Sequence, residues 1–215
     1  MFADRREAAR ALAEKLTRYK HREDAVILAV PRGGVVLGAV LSEELGLPFD
    51  VILTKKIGHP VNPEFAIGSV SLSGEAVDSG LIERDGIPQQ YIDATIARIR
   101  ESLWQRYRLY RGTSRPLAVA GKTVILTDDG AATGRTLAAA IELLRRDRAA
   151  KIVLAVPVAS PEALESLRLA ADETICLETP RDFRAIGESY GDFAQVSDSE
   201  ALGLLRKVSR GAAPR

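Results

Sequence analysis

A short apolar run that ends in two carboxylates and then in a loop of small residues constrains this chain more than any other feature. It reads Val124-Ile125-Leu126-Thr127-Asp128-Asp129-Gly130-Ala131-Ala132-Thr133-Gly134-Arg135-Thr136. Continuous apolar residues bounded by turn formers suit a strand buried on both faces, as in a parallel sheet. Helical spacing begins at Gly134, so the unit is strand, loop, helix. Ligands of parallel sheets bind at the carboxyl ends of the strands, which is where this loop falls.

The two halves of the segment ask for different partners. Small residues let the backbone curl until several N–H groups face one anion, and a helix N-terminus adds partial positive charge. Thr133 and Thr136 bring hydroxyls to the same place. Asp128 and Asp129 would repel that anion and suit sugar hydroxyls, a divalent cation, or both. A phosphorylated sugar carrying Mg²⁺ satisfies both halves. An Asp in such a loop can also be a helix N-cap or part of a solvated turn. A P-loop fits poorly: only three residues separate Gly130 from Gly134, and Arg135 stands where Lys is needed. Gly121-Lys122-Thr123 precedes the strand rather than following it, and no G-x-G-x-x-G run is present.

The remaining periodicities place this unit in an α/β fold with a central, mostly parallel sheet flanked by helices. Ala9, Leu12, Leu16 and Tyr19 share one face of an N-terminal helix. Strands are expected at 25–30, 50–54, 123–127, 151–156 and 173–177, and helices at 35–45, 134–146 and 161–169. A long helix opens at Pro88 and ends at Gly112, with Ile92, Ile96, Ile99, Leu103, Tyr107 and Tyr110 as its apolar stripe. The Gly-, Pro- and Ser-rich stretch 55–86 reads as a hairpin excursion turning at Ser73-Gly74. Residues 178–198 carry Phe183, Tyr190 and Phe193 without a strong period, and 209–215 read as a frayed tail. One domain over 1–208 accounts for the whole.

Charge and cysteine usage narrow the partners. Thirty Lys and Arg against 29 Asp and Glu leave a net charge of +1, without the basic stripe of a nucleic-acid binder. Arg145, Arg146 and Arg148 sit where a helix C-terminus welcomes cations. The single cysteine, Cys176, lies in an apolar run and reads as a small buried hydrophobe. It allows no internal disulfide and fits a reducing cytoplasm. His21 and His59 are isolated, so no zinc site is expected. No apolar stretch is long enough to span a bilayer.

The segment 124–136 closely resembles the phosphoribosyl pyrophosphate signature of the type I phosphoribosyltransferases, and the resemblance extends over roughly residues 20–195. It implies that Asp128 and Asp129 hold the ribose hydroxyls, and that Gly130, Ala131, Ala132, Thr133, Gly134 and Thr136 hold the 5-phosphate. It makes Pro31-Arg32-Gly33-Gly34 the pyrophosphate loop, with Arg32 bringing charge, Gly33 and Gly34 admitting the backbone, and a cis peptide between Arg32 and Gly33. One of Lys55 and Lys56 becomes a further pyrophosphate contact. Residues 57–86 become a mobile lid and 178–198 a C-terminal hood, in which Phe183 and Tyr190 are stacking candidates, with core packing the commoner fate of either ring taken singly. The implied reaction displaces pyrophosphate at ribose C1 by a nitrogen nucleophile, with Arg32, Asp128 and Asp129 at its centre. Mg²⁺ would be carried by the substrate and touched by Asp128 or Asp129.

The acceptor is left open. Ala155-Val156-Pro157-Val158-Ala159-Ser160 has no lysine where purine enzymes of the family often place one. A second reading is a regulator that senses phosphoribosyl pyrophosphate or nucleotides without useful catalysis. The oligomeric state is open too, with a homodimer as one option.

Overall fold

The structure, a computed structural model, describes residues 1–112 and 115–211, with side chains to residue 207. Its centre is a five-stranded parallel sheet built from β1 (Ala25–Ala29), β2 (Phe49–Val51), β6 (Thr123–Thr127), β7 (Lys151–Val158) and β8 (Glu173–Glu178). The spatial order is β2-β1-β6-β7-β8.

Alternation along each strand feeds two cores. Ile27, Ile125, Val153 and Ala155 face one side, where they meet α1 (Arg5–Lys15), α2 (Gly33–Leu45), α4 (Gln89–Arg111) and α7 (Asp198–Gly211). Val26, Leu28, Val124, Leu126, Ile152 and Leu154 face the other, under α5 (Arg135–Arg146) and α6 (Pro161–Ala170). The predicted stripe of α4 is the buried face, including Ile92, Ile99, Leu103, Tyr107 and Tyr110. Its end is tied to β2 by a satisfied buried charge. Asp50, fully buried, accepts from Tyr107 Oη at 2.8 Å and Leu117 N at 3.1 Å and pairs with Arg111 Nε at 3.0 Å.

Three expectations change. The second strand stops at Val51 rather than continuing to residue 54, because it is the sheet edge and the chain leaves there for a second sheet. That sheet is antiparallel, with β3 (Lys55–Gly58), β4 (Ala66–Val70) and β5 (Glu75–Val77) in order, followed by α3 (Ser79–Arg84). It is anchored, since Ile57, Ile67 and Val70 are buried in the core shared with α4. The turn between β3 and β4, about 59–65, stands largely exposed, as does much of α3. Finally, the segment read as unperiodic near the C-terminus gives way to α7, whose Ala201 and Leu205 are fully buried. Residues 209–211 of the expected tail belong to α7, and 212–215 lie outside the described residues.

Candidate functional site

Strand order fixes where a ligand can enter. From β1 the chain moves outward to β2 on one side; from β6 it moves through β7 to β8 on the other. The crevice between the carboxyl ends of β1 and β6 is therefore the topological switch point. Ala29 pairs with Thr127, so the loop from Val30 to Arg32 and the loop from Asp128 to Gly134 leave the sheet side by side.

The two loops interlock without room for side chains at their contact. A Cβ on Gly33 would fall 1.8 Å from Asp129 Oδ2, and one on Gly34 would fall 3.0 Å from Asp128 Cα and Oδ1. The cis peptide lies between Pro31 and Arg32, one bond earlier than expected. The Arg32–Gly33 bond is already part of the start of α2, since the Arg32 carbonyl accepts from Val35 N at 3.1 Å. Arg32 extends toward the start of α7, where Nη1 lies 3.9 Å from Asp198 Oδ1. Tyr110 Oη donates to the same oxygen at 3.1 Å.

Asp128 and Asp129 sit largely buried at the head of β6. Burial and the neighbouring Asp129 carboxylate push the Asp128 carboxyl well above its ordinary range. Asp129 N donates to Asp128 Oδ1 at 2.8 Å. Burial also raises Asp129, but the Arg5 guanidinium opposes it. Arg5 places Nε 2.9 Å and Nη2 2.8 Å from Asp129 Oδ2. Thr127 Oγ1, just before Asp128, is buried without a partner among the described residues.

The following loop is held from behind by the turn after β7. Ala131 N donates to Val158 O at 2.9 Å, and Ser160 N and Oγ donate to the carbonyls of Ala131 and Ala132 at 2.9 and 2.8 Å. Ala131 is buried, so its N–H is spent on the scaffold rather than on an anion. Gly130 is covered by Ile186, and a Cβ there would meet it at 2.6 Å. Gly134 takes the left-handed conformation, φ 68°, that turns the chain into α5. Among the described residues no side chain caps α5, which leaves its first N–H groups open beside the exposed Thr133 and Thr136. A cavity of about 720 Å³ lies against this end, lined by Thr54, Lys55, Lys56, Thr133, Arg135 and Thr136 among others. Across β3 and β4, Lys56 pairs with Ser69 and Lys55 with the buried Val70. Both lysines line the cavity, but cross-strand partners share a face, so Lys56 lies on the face of Ser69, which also lines it, and Lys55 on that of Val70, which does not. Lys56 is held meanwhile by Glu64, with Nζ 2.8 Å from Oε2 and 3.1 Å from the carbonyl.

Aromatic stacking takes an unexpected form. Tyr190, 5% exposed, donates its hydroxyl to the Asp129 carbonyl at 2.6 Å and stacks on Phe193. Phe183 packs into the same small cluster. Tyr190 is thus a structural element of the carboxylate loop rather than an open platform. The hood includes the N-terminus, because Phe2 and Ala3 bond to Ser189, Gly191 and Asp192. Cys176 is half-buried, with its thiol donating to the Glu178 carbonyl at 3.2 Å and pushed up by burial.

Arg5, Phe193, Ser160 and Arg135 were not foreseen at the site. Arg5 had one signal: it falls on the stripe of Ala8, Ala9 and Leu12 in α1, where a charge needs a buried partner. Among the described residues no cluster of three or more His, Cys, Asp or Glu could cage a metal, and no helix is long and apolar enough to cross a membrane.

At the switch point of a parallel α/β sheet, two carboxylates thus stand on one side and, among the described residues, a helix without a side-chain cap on the other. The chain belongs to the phosphoribosyl transferase domain family, whose model matches residues 3–192. A Mycobacterium tuberculosis protein that carries phosphoribosyl transferase as a provisional name is 33% identical over 211 residues. That match covers 98% of this chain and 47% of the relative, so the chain spans about half the length of the curated relatives it matches. The crystal structure of TT1426 from Thermus thermophilus superposes with a TM-score of 0.85 at 39% identity, covering 96% of this chain and 98% of that one.

Proposed function

We propose that the chain binds phosphoribosyl pyrophosphate in the crevice between β1 and β6 and transfers its 5-phosphoribosyl group to a nitrogen nucleophile, releasing pyrophosphate. One observation carries this reading: one loop at the switch point joins two carboxylates to a helix N-terminus without a side-chain cap, with a glycine pair packed against the carboxylates. In this reading Asp128 and Asp129 accept the ribose hydroxyls. The N–H groups of Ala132, Thr133, Gly134 and Thr136, with the threonine hydroxyls, hold the 5-phosphate, while Gly130 and Ala131 shape the turn. Arg32, the Gly33-Gly34 backbone and Lys56 face the pyrophosphate, with Lys55 near the mouth of the cavity.

Mg²⁺ fits this donor set as a guest of the substrate. Among the described residues no cation pairs with Asp128, and Mg²⁺ commonly binds through one or two carboxylates together with substrate phosphates. When bound, it would neutralise charge on the departing pyrophosphate. The protein's share is to fix the sugar by its diol and its phosphate and to stabilise the leaving group with Arg32 and Lys56. In this reading the lid of 57–86 closes through its exposed turn 59–65, whose Glu64 and Phe65 line the cavity, and keeps water from the reacting carbon. The acceptor is a nitrogenous compound, a nucleobase being the first to try.

Titration calorimetry with phosphoribosyl pyrophosphate and Mg²⁺ tests the donor half. Binding is expected in the wild type and its loss in the Asp128→Asn, Asp129→Asn double variant; equal binding in both would reject the site. Pyrophosphate release across a panel of nucleobases and amines tests transfer. Binding without release from any acceptor would favour a sensing role.

A further inference from the structure

Asp129 is held at both ends by groups that come from the two ends of the chain. Its backbone carbonyl accepts from Tyr190 Oη at 2.6 Å, and its carboxylate receives both Nε and Nη2 of Arg5 on one oxygen, Oδ2. The side chains of the pair are 10% and 14% exposed. Arg5 is itself fixed on two further sides. Nη1 donates to the Ala194 carbonyl at 2.9 Å, and the guanidinium carbon lies 3.8 Å from the centre of the Phe193 ring. Phe193 in turn stacks on Tyr190, with ring centres 5.0 Å apart. Arg5, Phe193, Tyr190 and Asp129 thus close a loop of contacts in which no side chain can turn without breaking another.

Such a cation is expensive to bury unless its charge and its donors are all used. A buried brace between α1 and the hood could be built of apolar residues at less cost. What an arginine adds is direction: two N–H groups of one guanidinium converge on Oδ2 and pin that oxygen in place, which an apolar contact cannot do. The fork takes only Oδ2 and leaves Oδ1 for a ligand. The Gly33 backbone blocks the opposite escape, since even a methyl group there would overlap Oδ2.

We propose that Arg5 is a positioning residue of the ribosyl site, holding Asp129 by Oδ2 so that Oδ1 is presented to the sugar. The proposal rests on the reading of the crevice as a phosphoribosyl pyrophosphate site. The test is a cycle of Arg5→Gln, Asp129→Asn and the double variant, with phosphoribosyl pyrophosphate affinity measured by calorimetry in Mg²⁺ alongside thermal denaturation. Arg5→Gln is expected to weaken binding about tenfold or more, a change of about 1.4 kcal/mol. It is expected to add little in the Asp129→Asn background. Arg5→Lys should recover part of the loss, since it keeps the charge but not the fork. Unchanged affinity with a lowered melting temperature would make Arg5 a structural brace and overturn the proposal, as would losses that simply add. Should Arg5→Gln fail to fold, Phe193→Leu loosens the same guanidinium and is expected to weaken binding in the same sense; unchanged affinity there overturns the proposal. A wild type that binds no phosphoribosyl pyrophosphate would defeat the functional reading instead. Arg5 is then decided by a crystal structure of Arg5→Gln, in which the Asp129 carboxylate must leave its position if the proposal holds.

Discussion

Gly33 faces the Asp129 carboxylate so closely that a Cβ built on it would lie 1.8 Å from Oδ2 and 2.4 Å from Cγ. Oδ2 is the oxygen that Arg5 holds, so the carboxylate cannot swing aside without breaking a buried pair. Gly33→Ala is therefore expected to displace Asp129 and to cost about 1–3 kcal/mol of stability through overpacking. Affinity for phosphoribosyl pyrophosphate should fall about tenfold or more. Gly203→Ala is the control: among the described residues no neighbour lies within 4 Å of a Cβ there, and the position is helical. It should be neutral or stabilise by about 0.4–1 kcal/mol. Equal affinity for Gly33→Ala and wild type would show that the interlock is not required.

The raised pKa of Asp128 makes a stability prediction whose sign is opposite to that of an ordinary surface carboxylate. The folded state keeps this proton more tightly than the unfolded chain, where the group titrates near about 3.9. Its contribution is thus complete below that value and is lost as pH rises through the higher folded value. Asp172 runs the other way: its hydrogen bond to Arg145 lowers it, so its contribution is lost as pH falls. Asp128→Asn keeps an oxygen for Asp129 N and removes the buried charge. It should raise the melting temperature at neutral pH relative to the wild type, while phosphoribosyl pyrophosphate binding drops. The gain should shrink as pH falls toward 4. A variant less stable than the wild type at pH 7.5 would sink this account.

Lys56 and Glu64 form an exposed pair that stands beside the cavity at the start of α5. If Lys56 serves the pyrophosphate, its bond to Glu64 must be exchanged for one to the ligand. Lys56→Ala should weaken phosphoribosyl pyrophosphate binding about tenfold, and the loss should narrow at high salt, where exposed charges are screened. Lys55→Ala should matter less, because Lys55 shares its face with the buried Val70. Glu64→Gln should tighten binding slightly. A larger loss from Lys55→Ala than from Lys56→Ala would reverse the assignment.

The sequence made the central sheet legible because burial on both faces leaves unbroken apolar runs, as at Ala25–Ala29 and Thr123–Thr127. The carboxylates and the small-residue loop were legible because all of that chemistry lies within one contiguous stretch. Arg5 was not, because its partner is 124 positions away and only the fold joins them. Tyr190 was legible as a ring for stacking or for the core, but its bond to the Asp129 carbonyl was not, since sequence shows a ring and not where its hydroxyl points. Helix α7 had a signal that went unread. Ser197-Asp198-Ser199-Glu200 has the capping-box spacing, and Glu200 N does donate to Ser197 Oγ at 3.1 Å. The antiparallel sheet was half legible: the turn at Ser73-Gly74 could be read, but its anchoring against α4 depends on residues far along the chain.

Ser160 joins the loop expected to hold the 5-phosphate to the helix behind it, and so separates stability from binding. Its Oγ accepts from Ala163 N at 3.0 Å as the N-cap of α6 and donates to the Ala132 carbonyl at 2.8 Å. Ser160→Ala removes both bonds. Loss of the cap alone should cost about 1 kcal/mol. Ser160→Asp keeps the cap, since a carboxylate accepts from N2 or N3, but it cannot donate to Ala132 and sets a negative charge beside the loop. The two variants should therefore part company. Ser160→Ala should lower the melting temperature and weaken phosphoribosyl pyrophosphate only a few-fold. Ser160→Asp should retain more stability yet bind more weakly than Ser160→Ala, because it repels the phosphate. If affinity instead follows melting temperature across both variants, Ser160 acts only as a cap and its bond to Ala132 has no bearing on the ligand.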